Sequence, residues 1–182
     1  MATEPARWVM DTSTFTHFWR AGHSHVLNEL APDGIILIPS EVNVEIEQGR
    51  ALHPEIPPVR KVDWAELVVC DDDEQLTMLG VKADMGGSPT EHLGECAVIA
   101  CAFGRGGIAI LDERKAIEQA GLRDVSTHDS MWIVVHAYAL LFDRDRDRAA
   151  TVIDDLLATG MKLPIASGTS FMQWAYENGL LP

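Results

Sequence analysis

Two aspartates in this chain of 182 residues each follow directly on a short segment with the composition of a strand. Asp11 follows residues 7–10 (RWVM), and Asp112 follows residues 108–111 (IAIL). Because the carboxyl ends of parallel strands meet at one edge of a sheet, where the ligands of such sheets bind, we expect the two carboxylates to lie together. An Asp in this position often only caps a helix, so it is the agreement between the two that indicates a site.

A third acid, Glu45, lies on a predicted helix whose apolar stripe is formed by Val42 and Ile46. At about 100° per residue, Glu45 is the acid closest to that stripe. Glu41 lies one turn earlier on the neighbouring side, and Glu47 faces nearly away. Glu45 is therefore the acid best placed to point inward, although a solvated helix flank explains this segment equally well.

The fourth acid, Glu95, precedes residues 96–103 (CAVIACAF), which are apolar all round a helix and so are predicted to be largely buried. No Lys or Arg lies within one turn of Glu95 to neutralise it. Burying an unpaired charge costs on the order of several kcal/mol, so a buried Glu95 needs a partner. That partner is either a metal ion or an Arg that is distant in the sequence.

The chemistry suggested by these acids is metal-assisted hydrolysis of a phosphodiester. Carboxylate oxygens, with no Cys or His at ligand spacing beside them, suit a hard cation such as Mg²⁺ or Mn²⁺. Such an ion activates water and neutralises charge on the scissile phosphate, so that no protein nucleophile is required. The predicted ligands are Asp11, Glu45, Glu95 and Asp112.

Strands alternate with helices along the chain, which predicts an α/β fold with a parallel sheet covered on both faces. Thr12 or Ser13 is expected to cap the first helix, and the capping box of Ser88 and Glu91 predicts a helix that begins at Pro89. The predicted strands are residues 7–10, 35–38, 64–70, 108–111 and 125–127, and three late helices are predicted at residues 130–142, 149–159 and 171–179.

The composition restricts the possible functions. There are 14 Lys and Arg against 28 Asp and Glu, and the formal net charge of −14 repels phosphate unless bound cations reverse the local field. The apolar run of residues 131–142 is too short to cross a bilayer, and residues 1–7 lack the apolar core of a signal peptide, so we expect a cytoplasmic protein without a membrane segment. Cys70, Cys96 and Cys101 lack zinc or disulfide spacing and are predicted to be buried small hydrophobes.

The order of these blocks resembles the PIN domain family. The blocks are WVMD at the first strand, IPSEVNVEI at the second strand and its helix, LGECAVIACA at the buried helix, and IAILDERKAI at the next acid, and they span residues 8 to about 117. By this resemblance, the metal-site and catalytic roles fall to Asp11, Glu45, Glu95 and Asp112.

The resemblance implies a three-layer α/β/α fold with a parallel sheet of order 3-2-1-4-5, here with additional C-terminal helices. It implies a ribonuclease that uses Mg²⁺ or Mn²⁺ on single-stranded RNA, often as the toxin of a type II toxin–antitoxin pair (VapC-like) with an antitoxin as partner, and it implies homodimers. We assign residues 1–148 to the PIN-like nuclease domain and residues 149–182 to a helical extension packed on it.

Two features depart from the family pattern. Residues 113–116 (ERKA) contain no second Asp or Asn after Asp112, and residues 125–130 contain no clear Gly-Thr. Thr127 and Asp129 lie at the end of the last strand, where each either adds a ligand or, as is more common, caps a loop. Arg114 and Lys115 are candidate phosphate contacts.

Two other functions fit parts of the pattern. A phosphatase of the haloacid dehalogenase type also places an Asp after its first strand, but it requires a second Asp two residues later, where this chain has Ser13. The alternative from another class is a catalytically degenerate PIN-like module that binds a partner, which the net charge of −14 favours.

The helical phase of residues 40–49 generates a first prediction. Glu45→Gln should reduce Mn²⁺-dependent cleavage of RNA much more than Glu41→Gln, because only Glu45 borders the buried stripe. Initial rates of the two purified variants on a labelled RNA provide the comparison. Equal losses would show that the helical phase is wrong.

Overall fold

A computed structural model describes residues 6–181 of the protein. The strands are β1 (Trp8–Met10), β2 (Ile36–Pro39), β3 (Ala65–Val68), β4 (Ile108–Ile110) and β5 (Thr127–His128). The α-helices are α1 (Thr12–Arg20), α2 (Ser24–Leu30), α3 (Ser40–Arg50), α4 (Asp72–Met85), α5 (Leu93–Arg105), α6 (Arg114–Gly121), α7 (Ser130–Leu140), α8 (Arg146–Ala158) and α9 (Phe171–Glu177). Residues 1–5, part of the segment from which no signal peptide is expected, lie outside the described residues.

The five strands form one parallel sheet in the order β3-β2-β1-β4-β5, which confirms the predicted fold class and strand order. β1 is central, with Trp8 paired to Ile36 on one side and to Ile108 on the other. All residues of β1 and β2 are buried, because helices cover both faces of the sheet. The residues that follow β1 and β4 therefore emerge side by side at one edge.

The helix that carries Glu95, α5, is largely buried. The residues of α5 from Cys96 to Ala102 are all buried, as their all-round apolar pattern predicts. This helix packs against the central strands and against α3 and α4, so it holds its first turn rigidly beside the sheet. That first turn contains Gly94 and Glu95.

The predicted start of α5 at Pro89 is wrong, since the helix begins at Leu93. The expected pairing does form in part: the backbone N–H of Ser88 donates to the Glu91 carboxylate at 3.0 Å. This hydrogen bond closes a turn and does not begin a helix, because His92 adopts the left-handed conformation with φ 61° and redirects the chain.

The C-terminal helices pack on other helices of the domain. α8 packs on α1 and α7, and α9 packs on α8. Phe171 and Ala175 of α9 and Ile153 and Leu156 of α8 are fully buried. The division of the chain between residues 148 and 149 stays a prediction. Within residues 6–181, no helix combines the length and the apolar character needed to cross a membrane.

Candidate active site

Three of the four predicted acids share one pocket. Asp11, Glu95 and Asp112 line an open pocket of about 580 Å³, which begins where β1 and β4 end. Asp11 is almost completely buried, with 4% of its surface exposed. The side chain of Glu95 is only partly buried, at 23% exposure, because the first turn of α5 faces the pocket while the rest of the helix is covered. The apolar helix therefore presents its acid to an open space.

Asp11 and Asp112 are joined through Thr14. The backbone N–H of Thr14 donates to Asp11 Oδ1 at 2.9 Å, and the Thr14 hydroxyl donates to Asp112 Oδ2 at 2.9 Å. The N-cap of α1 is thus Asp11, and the expectation that Thr12 or Ser13 caps this helix is wrong. Thr14, in the first turn of α1, therefore holds both carboxylates.

Ser130 holds Asp112 from the other side. Its backbone N–H donates to Oδ1 and its hydroxyl donates to Oδ2, both at 2.8 Å, and Ser130 is completely buried. Asp129, one residue earlier, caps α7 by accepting from the N–H of Trp132 at 2.7 Å. Neither Asp129 nor Thr127 lines the acid pocket, so the contact at this strand end belongs to Ser130, which sequence reasoning missed.

Glu45 lies beside the other acids but in an adjoining pocket. Its Oε2 accepts from the Thr12 hydroxyl at 2.5 Å, and its Oε1 accepts from the backbone N–H of Gly94 at 3.1 Å. These two donors are the immediate chain neighbours of Asp11 and Glu95. A Cβ atom on Gly94 would lie 2.7 Å from Glu45 Oε2, so this approach is open only to glycine.

The carboxylates repel one another in a poorly solvated place. Burial raises the pKa of Asp11 well above its usual range, and the charge of Asp112 raises it further. The hydrogen bonds from Thr14 lower this pKa but do not cancel the effect. Burial also raises the pKa of Glu95, and the charges of Glu45 and Glu113 add to that effect. In the described chain, none of the four predicted acids forms an ion pair with a Lys or Arg. A bound cation would relieve this repulsion.

The donor set fits a hard divalent ion that keeps part of its water shell. Within residues 6–181, no three of these acids bring oxygen atoms within 4.8 Å of one another. Mg²⁺ is commonly bound through one or two carboxylates and retains several waters, so this open arrangement suits it. A closed cage of protein ligands is not what these side chains form.

The pocket wall also contains four residues that were not among the predicted site residues, namely Ser13, His17, Glu113 and Lys162. Burial, then the charge of Arg20, lowers the pKa of His17 to about 4, so this imidazole is neutral at physiological pH. Arg114 also lines the pocket, whereas the ammonium group of Lys115 donates to the Met85 carbonyl and lies elsewhere. The two predicted phosphate contacts therefore separate, and only Arg114 faces the acids.

Cysteine and glutamate side chains meet at a second place, away from the acid pocket. Cys70, Glu74 and Cys101 bring potential ligand atoms within 4.8 Å of one another. The cysteines are buried as predicted, but spacing along the chain did not show that two of them are neighbours. Arg105 donates to both Glu74 oxygens, at 2.7 and 3.0 Å, and holds the pKa of Glu74 low. Soft thiols beside a neutralised carboxylate do not form a site for Mg²⁺ or Mn²⁺.

Comparison with known families agrees with this arrangement. A family model described as a PIN domain matches residues 7–176 of the chain. The chain belongs to the PIN domain family. PIN domains are generally metal-dependent nucleases, and the match extends through α8 and most of α9. Among curated protein sequences, none matches this PIN domain.

The contact between Gly94 and Glu45 generates a second prediction. Gly94→Ala in this PIN domain should lower Mn²⁺-dependent nuclease activity by on the order of 100-fold, because the added methyl group displaces a carboxylate at the site. Gly94 is the second residue of α5, and Ala is a better helix former than Gly, so the loss should occur without unfolding. Nuclease rates and urea unfolding of the same samples provide the measurement.

Gly80→Ala is the matched control for Gly94→Ala. Gly80 lies inside α4, and a Cβ atom there meets nothing within 4 Å. This variant should gain up to about 1 kcal/mol of stability and keep full activity. If Gly94→Ala is as active as Gly80→Ala, the close approach of Glu45 has no role in the site.

The raised pKa of Asp11 generates a third prediction. With a chelator present, we compare the free energy of unfolding of the wild type with that of Asp11→Asn. The difference should fall as the pH rises from 3.8, the ordinary pKa of Asp, through the raised pKa of Asp11. The folded state holds the Asp11 proton more tightly than the unfolded state. The stabilisation that this proton gives is therefore fully present below this pH interval and lost above it. Asn is an equally good N-cap, which preserves the Thr14 bond. Urea titrations across pH measure the difference, and parallel curves would contradict the assignment.

Proposed function

We propose that this PIN domain is a divalent-metal-dependent endoribonuclease that cleaves single-stranded RNA. Asp11, Glu95 and Asp112 hold Mg²⁺ or Mn²⁺, and Glu45 completes the acid group. The observation that supports this proposal is that Asp11, Glu95 and Asp112 line one pocket and that, among the described residues, none of the three is paired with a Lys or Arg. When bound, the cation supplies activation of water and neutralisation of charge on the scissile phosphate.

The residues around the acids preorganise them. Thr14 and Ser130 together give the Asp112 carboxylate three hydrogen bonds, which fix its orientation before substrate arrives. Asp11 uses Oδ1 to cap α1, and the residue lines the pocket. Because burial raises the pKa of Asp11, a cation and a proton compete for this carboxylate.

The rim of the pocket supplies the positive charge for the substrate. Lys162, just after α8, and Arg114, in the first turn of α6, are exposed and line the same pocket as the acids. We assign to them the phosphates that flank the cleaved bond. They offset locally the formal charge of −14 that repels RNA over longer distances.

The proposal also includes a biological role. We propose that the protein acts in the cytoplasm as the toxin of a type II toxin–antitoxin pair and that it forms a homodimer. Membership of the PIN domain family, in which such toxins are frequent, is the support for this role. We expect a gene for a small DNA-binding protein, the antitoxin, beside the gene for this chain.

The net charge of −14 favours one other candidate, a PIN-like module that binds a partner without cleaving RNA. Such a module has no need of a bound cation, so metal-dependent cleavage by the purified protein separates the two candidates.

The proposed function generates a fourth prediction. Asp11→Asn and Asp112→Asn should each abolish Mn²⁺-dependent cleavage of single-stranded RNA. Mn²⁺ at about 100 times its Kd should stabilise the wild type by about 2.7 kcal/mol and raise its melting temperature, while Asp11→Asn should gain much less. Melting series in chelator, Mn²⁺ and Ca²⁺ at constant ionic strength provide the measurement. Ca²⁺ should stabilise the protein but support little cleavage.

Glu29→Gln is the matched control for charge, because it removes one carboxylate from an exposed position on α2. It should cleave RNA and respond to Mn²⁺ as the wild type does. Equal stabilisation of the wild type, Asp11→Asn and Glu29→Gln would mean that the ions only screen the net charge, and the nuclease proposal would then fail.

A further inference from the structure

We infer that the pocket between α7 and α9 binds a nucleobase of the RNA whose backbone lies at the acids. This aromatic pocket has a volume of about 280 Å³, and the side chains of Trp132, Trp174, His128 and Asn178 line it. The inference rests on the proposed function, since it concerns the same substrate. It gives the C-terminal helix α9 a part in substrate binding.

The floor of the aromatic pocket is the His128 ring stacked on Trp132, and His136, which is not part of the pocket lining, stacks on Trp132 in turn. The ring of His128 lies 3.5 Å from that of Trp132 with planes 3° apart, and the ring of His136 lies 4.1 Å away on the other side with planes 19° apart. Trp132 and His136 are four residues apart on α7 and so share a helix face. The buried Trp8 meets Trp132 edge-on at 6.1 Å and supports it from below.

The stack is rigid, partly exposed and uncharged. The three rings are all partly exposed, so the stack is not sealed inside the core. Burial lowers the pKa of both His128 and His136, which keeps both imidazoles neutral at physiological pH. A neutral aromatic surface favours the flat face of a base over a phosphate. Stacking of bases on aromatic side chains is how proteins commonly bind single-stranded nucleic acid.

The opposite wall offers polar groups that can bind the edge of a base. Trp174 and Asn178 lie one turn apart on and just after α9. The Asn178 amide donates to the Trp174 carbonyl at 2.8 Å, which orients its side-chain oxygen as an acceptor. Thr127, which carries a hydroxyl group, also lines the aromatic pocket. An apolar slot with a few fixed polar groups is typical of small-molecule and base sites.

The aromatic pocket adjoins the acid pocket at two points. Asp129 lines the aromatic pocket, and the next residue, Ser130, binds Asp112. On α6, Ile117 lines the aromatic pocket, while Arg114, one helical turn earlier, lines the acid pocket. We therefore place in the aromatic pocket a base next to the phosphate at the acids. This continuity favours an RNA base over an unrelated ligand.

The test is binding of a short fluorescein-labelled oligouridylate, measured by anisotropy in Ca²⁺. Trp174→Ala, which removes a wall of the pocket, and Trp132→Ala, which removes the ring that supports the His128 imidazole, should each weaken binding by a factor of roughly 5 to 150, the range that base stacking supports. Trp132→Phe, which keeps an aromatic face, should stay close to the wild type. Tyr176→Ala is the matched control, because Tyr176 is an exposed aromatic residue of α9 that does not line the pocket.

Two further measurements separate this inference from the proposed function. An oligomer of abasic ribose phosphates should bind the wild type and Trp132→Ala equally, since only the base contacts the stack. The Mn²⁺-induced melting shift should be the same in Trp132→Ala as in the wild type, which shows an intact acid site. If Asp11→Asn abolishes cleavage but keeps the Trp132-dependent binding of RNA, the acid site and the base site are shown to act separately.

Wild-type affinity in both Trp132→Ala and Trp174→Ala would overturn the inference. So would an oligomer mass, measured by light scattering, that falls to a monomer in Trp174→Ala while affinity for RNA stays unchanged, because the pocket would then bind a second copy of the chain. A nuclease-inactive wild type that still binds oligouridylate through Trp132 would leave the base site standing and remove the proposed catalysis.

Discussion

The structure depends on placing the carboxylates of Asp11 and Asp112 together in a poorly solvated position without a basic partner in the described chain. Buried charge is costly, and the pKa of Asp11 is raised by burial first and by Asp112 second. Hydrogen bonds from Thr14 and Ser130 reduce the cost, and both donors are completely buried. They stabilise the charges without neutralising them, so the pocket retains a strong attraction for a cation.

The rest of the fold can be understood as the support for this arrangement. A parallel sheet with β1 at its centre brings the ends of β1 and β4 together, and covering both faces with helices removes water from the strands. α5 then places Gly94 and Glu95 against the same edge, and the missing side chain of Gly94 lets Glu45 approach its backbone. One close approach thus links the acids of α3 and α5.

The net charge of −14 and a nucleic-acid substrate are compatible because the charge is not uniform around the pocket. Lys162 and Arg114 stand on the rim, and the neutral aromatic pocket lies beside it. Long-range repulsion then slows association, whereas local contacts and a bound cation determine affinity. The segment after residue 148 supplies Lys162 to the acid pocket and Trp174 to the aromatic pocket, so under our proposal it contributes to the substrate surface.

The sequence by itself determined the first four strands, the sheet order implied by the family resemblance, and the positions of Asp11 and Asp112 at one edge, whereas the last predicted strand, residues 125–127, shares only Thr127 with β5. These follow from short-range patterns, because an apolar strand and the residue after it are adjacent in the chain. The phase of one helix likewise selected Glu45 over Glu41. The expected start of α5 at Pro89 failed because the backbone of His92 is left-handed, which no side-chain pattern there indicated.

Only the tertiary structure decided which groups hold the acids. Thr14 and Asp112 are 98 residues apart, and Glu45 and Gly94 are 49 residues apart. The aromatic pocket joins α7 to α9, and Cys70 meets Cys101 across two helices and a turn. Hydrogen bonds and ring contacts between such distant segments leave no period or spacing in the sequence, because they depend on how the elements pack and not on the order of neighbouring residues.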